Sequence, residues 1–302
     1  MKHKKKPRHL AKAACFVFFL FSSTGILQAK AADRTLILAT LTPYASYAKI
    51  LLEGVPGVEV KTLIPPGSDP HAFSLTPSTL SLLKRAKLVL GNGKVENLIE
   101  ISRLRNVNRN APFVFTFDEL FDSTTDKGQV TPHTWLNPES VSLELETIAD
   151  ELTGLFPGEK KKISLNLSNF QEALRKVERK IEEILSGVGK LGVITYHDGL
   201  DGFCKRFGIT VVGHAQKRHG VPPSPRDLFS VINRGKKFDG RLVVIAETRS
   251  GKKTMEKIAT ILNSPLVTIS VLPPQFEKGW EYAWWLVKIV EKITGPIKMR
   301  KP

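Results

Sequence analysis

Cysteine is nearly absent from this chain: 302 residues hold two, Cys15 and Cys204. Cys15 lies in a segment expected to be removed on export, so the mature chain cannot form an intrachain disulfide and must be held by packing. Cys204 sits in GFCKRFG, a predicted amphipathic helix, and reads as a small buried hydrophobe rather than a reactive thiol. Long apolar runs are also missing. The strongest, ACFVFFLF at 14–21, is broken at once by Ser22, Ser23, Thr24 and Gly25 and is too short to span a bilayer. There is no HExxH and no Ser-His-Asp frame, which leaves a secreted zinc hydrolase without a placed general base.

Acid is absent from residues 1–31, which carry Lys2, Lys4, Lys5, Lys6, Arg8, Lys12 and Lys30. A basic start, a short apolar stretch and Ala29-Lys30-Ala31 form a secretory signal with cleavage expected before Ala32, so the mature protein is expected to be exported. Removing those seven charges takes the formal net charge from +16 to +9. The remaining excess is spread along predicted helices such as 159–180 and the C-terminal tail. It reads as solvated faces rather than a nucleic-acid surface.

The mature chain alternates β-branched runs with helical periodicity. Strands are predicted at 34–40, 58–64, 87–91 and 112–117, and again at 191–196, 209–215, 242–247 and 265–271. Amphipathic stretches such as PYASYAKILLEG, TPSTLSLLKRA, SPRDLFSVINRG and KKTMEKIATILN fall between them. Buried-looking strands with helical connections predict an α/β fold with two parallel sheets of about four strands. From Glu159 to Ser186 there is no proline or glycine, and Phe170, Leu174, Val177, Ile181 and Ile184 recur at spacings of four and three. That predicts one rigid helix of about 40 Å between the sheets, ended by Gly187. The expected division is a signal peptide at 1–31, a lobe at 32–157, the long helix at 158–187 and a second lobe at 188–302.

Histidine is scarce as well, with seven in all, yet two stand in matching frames 62 residues apart: DPHAFSLTP around His71 and TPHTWLNP around His133. Each has Pro-His, a spacer, an aromatic ring (Phe73, Trp135) and a following proline. His197 ends the predicted strand LGVITY. All three lie in loops of the kind that gather ligands at the carboxyl ends of parallel strands. A metal-binding imidazole must be neutral and held in one orientation. The preceding prolines restrict the backbone, the aromatic rings would exclude water, and Asp198 or a carbonyl would take the second ring nitrogen.

These motifs, DPHAFSLTPSTL, PHTWLNPES, YHDGLDGFCKRFGI, PPSPRDL and AETRSGKK, occur in one order along essentially all of the mature chain. The set resembles the metal-binding solute-binding proteins of bacterial zinc and manganese ABC transporters, solute-binding protein family 9. The resemblance implies two α/β lobes joined by a long helix, a metal site in the cleft between them, and delivery of the ion to an inner-membrane permease by a monomeric, non-enzymatic carrier. It places His71, His133 and His197 on the family's first three ligand positions. Three imidazoles favour Zn²⁺, with Mn²⁺ the alternative cargo.

The chain also departs from the family pattern. The aspartate many members carry after the last strand is missing from TISVLPPQFEKG, which has no acid before Glu277, and Asn137 stands where aspartate is usual. The fourth position therefore falls to water or to another side chain. Glu247, at the end of LVVIAE, is the candidate, either as a ligand or as a carboxylate behind one. His214 and His219 are further histidines for which a metal contact is open.

Overall fold

A computed structural model describes residues 34–68, 70, 73–96, 98–121, 131–217, 221–248, 251–276 and 278–299. All eight expected strands are present, slightly trimmed. The first sheet comprises β1 (Thr35–Ala39), β2 (Val58–Thr62), β3 (Leu88–Gly91) and β4 (Phe113–Phe115), in the order β2-β1-β3-β4. The second comprises β5 (Leu191–Thr195), β6 (Thr210–His214), β7 (Arg241–Glu247) and β8 (Leu266–Ile269), in the order β6-β5-β7-β8. Every pairing is parallel.

Parallel neighbours require crossover connections, and helices supply them. In the first half these are α1 (Thr42–Leu51), α2 (Pro77–Arg85) and α3 (Leu98–Val107), followed by the short α4 (Thr116–Leu120). Then come α5 (Pro138–Leu155) and α6 (Lys160–Ser186). The second half has α7 (Asp201–Arg206), α8 (Pro225–Lys237), α9 (Lys252–Leu262) and α10 (Gly279–Met299). Three helices open on a polar cap followed by proline: Thr76-Pro77, Asn137-Pro138 and Ser224-Pro225. The cap side chain accepts a backbone N–H while proline occupies a position whose own N–H has no helical partner. In each sheet the chain order reverses beside the first strand, so β1 with β3, and β5 with β7, flank a switch point at their carboxyl ends.

The long helix forms as its pattern dictates. Ile163, Phe170, Leu174, Val177 and Ile181 are buried along one face of α6, each burial stabilising by about 1.5–3 kcal/mol. That face packs against α10, α5 and α1. No helix was expected at 279–299, where Gly295 and Pro296 are helix breakers by propensity. Packing overrides them: Tyr282, Leu286, Val290 and Ile293 are fully buried, and the helix lies against α6. One apolar core runs from β1 and β3 through α1, α5, α6 and α10 to β5 and β7. Polar ties join the two halves. Thr42 Oγ1 donates to the Pro273 carbonyl at 2.7 Å, and the hydroxyls of Tyr47 and Tyr282 lie 3.0 Å apart. Among the described residues, no helix is long and apolar enough to cross a membrane.

Candidate metal centre

The register of the second sheet brings its two site residues level. Thr195 of β5 pairs with Ile245 of β7, so two residues further along His197 stands beside Glu247. The Glu247 carboxylate hydrogen-bonds His197 Nδ1 and also accepts the His197 backbone N–H at 3.3 Å. This fixes the imidazole plane, with Nε2 toward His133. Gly199 makes room for the ring: a Cβ there would stand 2.9 Å from both Cε1 and Nε2 of His197. Thr195 Oγ1 donates to the His197 carbonyl at 2.7 Å and pins the backbone from behind.

His133 reaches the same point from the first half. It precedes the 3₁₀ turn Thr134–Leu136, which leads into α5. Asn92, after β3, donates to the Pro132 carbonyl at 2.9 Å and steadies the loop. Trp135 is fully buried edge-on against the His133 ring, with 5.2 Å between centroids, and its Nε1 donates to the Val271 carbonyl at 2.7 Å. The His133 loop is thereby tied to the segment after β8.

The two imidazoles meet with Nε2 atoms 3.4 Å apart. An ion about 2.05 Å from each would see them at an angle of about 112°, close to the tetrahedral value that zinc prefers. A carboxylate oxygen of the half-buried Asp198 belongs to the same cluster, all donor atoms lying within 4.8 Å of one another. Burial by itself would lower the His197 pKa. The hydrogen bond that His197 donates to Glu247 and the charges of Glu247, Asp198 and Asp201 outweigh it and hold the group above its ordinary value of 6.5. Such a concentration of negative potential around one imidazole suits a cation.

The first sheet's switch point holds polar groups that the sequence reading missed. Thr40, after β1, donates a short hydrogen bond to Glu96, which also accepts the backbone N–H groups of Asn92 and Gly93 at 2.9 Å. Glu144, fully buried in α5, accepts from Thr134 at 2.6 Å, Thr116 at 2.7 Å and Tyr44 at 3.0 Å. Burial raises its pKa to about 7 despite these hydroxyl donors. The available signal was a charge placed three residues after Val141 and four before Ile148, inside an apolar stripe.

Of the expected residues, His133, His197 and Glu247 come together, while His71 lies outside the described residues, as do Asp69, His219, Glu277 and the whole of residues 1–31 with Cys15. Phe73 is half-buried against the core. Asn137 caps α5 by accepting the Glu139 N–H at 3.1 Å, a task aspartate would perform equally well. His214 has protein partners at both ring nitrogens, Thr195 Oγ1 at 2.7 Å and Asp201 Oδ2 at 3.2 Å. Cys204 is fully buried in α7, and burial pushes its thiol far up, leaving it inert.

The family model described as "Zinc-uptake complex component A periplasmic" matches residues 37–295. The chain is 26% identical over 224 residues to the "High-affinity zinc uptake system protein ZnuA" of Yersinia pestis, covering 65% of this chain and 70% of that protein. It is 22% identical over 303 residues to the "Manganese ABC transporter substrate-binding lipoprotein PsaA" of Streptococcus pneumoniae, covering 93% and 97%. Among solved structures, a crystal structure of ZnuA superposes with a TM-score of 0.75 at 22% identity over 87% of this chain and 99% of that one, a likeness of fold. With its two parallel sheets, its long helix and a family match over nearly all the described residues, the chain belongs to the family of the periplasmic zinc-uptake complex component A.

Proposed function

We propose that the protein captures a divalent metal ion, Zn²⁺ in preference to others, and hands it to the permease of a bacterial ABC importer. The observation that carries this reading is the pair of buried imidazoles whose Nε2 atoms face each other at 3.4 Å. His133 and His197 are ligands in this reading, His71 is the third, and Glu247 orients His197 instead of touching the metal. The relatives' names support metal uptake as the class of function. The chain acts as a monomeric carrier and not as an enzyme, exported by a signal cleaved before Ala32. Lobes at 32–157 and 188–302 are braced by the helix at 158–187.

Manganese is the second reading. The carboxylate of Asp198 near the histidines and the manganese-transport relative favour it, since oxygen donors suit Mn²⁺ better than imidazole does. Metal analysis of protein isolated directly from the native periplasm separates the two. Zinc at about one equivalent supports the reading, and manganese in its place reverses it. Esterase and peptidase assays on the zinc-loaded protein address the carrier assignment, with turnover as the result that would refute it.

A further inference from the structure

We infer that Asp198 supplies the carboxylate ligand of the bound metal in this chain, in place of an acid that the segment after the last strand does not provide. The inference rests on the metal-capture reading above. After β8 the chain runs Ser270, Val271, Leu272, Pro273, Pro274, without an acid. The Val271 side chain lies beside the His197 loop, its Cγ1 3.3 Å from where a Cβ on Gly199 would stand. The Val271 carbonyl accepts the Trp135 Nε1–H. The last strand therefore brings an isopropyl group to this edge of the site.

Asp198 reaches the site from the His197 loop itself. It opens the 3₁₀ turn Asp198–Leu200 directly after His197, where the Thr195 hydrogen bond and the close fit of Gly199 fix the backbone. One of its oxygens lies within 4.8 Å of a ring nitrogen of His133 and of a ring nitrogen of His197. Ligand atoms around a tetrahedral zinc stand about 3.4 Å apart, so closing on an ion requires a movement on the order of an ångström, within reach of a side-chain rotation. Glu247 is already engaged at Nδ1, on the other edge of the His197 ring. A carboxylate among imidazoles also lowers the charge enclosed with the ion from +2 to +1, which reduces the cost of partial burial. It adds the hard oxygen donor that manganese requires more than zinc does.

The test uses the mature protein stripped of metal, titrated with Zn²⁺ and with Mn²⁺ in competition with a chromophoric chelator, and separately with Co²⁺ to record its visible spectrum. The wild type is compared with Asp198→Asn, which is nearly isosteric, with Asp198→Ser, and with His197→Ala; circular dichroism verifies folding. The inference predicts that both Asp198 variants lose more than about 100-fold in zinc affinity, beyond the range typical of a group behind a ligand. Manganese should be weakened by a larger factor than zinc, and the Co²⁺ bands should shift in position and intensity. Zinc affinity within about threefold of the wild type overturns it. So does a 10–100-fold loss with an unchanged Co²⁺ spectrum, which marks a carboxylate one bond removed from the metal. Failure of the wild type itself to bind any of the three ions would instead overturn the metal-capture reading.

Discussion

At the scale of single residues the site is organised by what stands behind each imidazole. Glu247 hydrogen-bonds Nδ1 of His197 and so selects the tautomer and ring orientation that leave Nε2 toward its partner. Glu247→Ala should weaken zinc binding about 10–100-fold, with His197→Ala much more severe; equal losses in a competition titration would make Glu247 a ligand itself. Glu144 acts on stability. Its carboxyl keeps a proton up to about pH 7 in the folded protein, against 4.5 as the ordinary value. Its contribution is therefore complete below about pH 4.5 and is lost as pH rises through about 7, because the folded state holds the proton more tightly than the unfolded chain. Glu144→Gln, which cannot ionise, should lose less stability than the wild type between pH 5 and pH 8 in parallel denaturant titrations. Indistinguishable pH profiles would show that the carboxyl ionises as it does in the unfolded chain. His133 was singled out by its Pro-His frame and His197 by its place at the end of a strand, and the two rings meet. The role of Glu247 could be narrowed only to two alternatives, because a ring-edge hydrogen bond depends on strand register.

At the scale of elements, what could be read depended on periodicity. The strands and α6 announce themselves by unbroken patterns that tertiary packing then obeys: Leu174, Val177 and Ile181 face inward as their spacing requires. The C-terminal α10 was overlooked. Its gain comes from a long-range partner, the buried face of α6, and not from local propensity. Leu174 is 2% exposed at this helix pairing, so Leu174→Ala should cost about 2–5 kcal/mol of unfolding free energy. A loss below about 1 kcal/mol by denaturant titration would mean that the α6 stripe is not a core surface.

At the scale of the whole molecule, the centre exists because two sheets present their switch points to one another. His197 arrives from β5 and His133 from the loop before α5. The bonds from Trp135 to the Val271 carbonyl and from the Tyr282 hydroxyl to the Trp135 carbonyl at 2.5 Å hold the two approaches together. A continuous core behind them lets the pair stand ready before an ion arrives. The most direct test is calorimetric titration of the stripped mature protein with Zn²⁺, repeated on His133→Ala and His197→Ala. One ion per chain, with affinity reduced by at least about 100-fold in each variant while the fold is retained, is the predicted result. Unchanged zinc affinity in either variant would contradict the account.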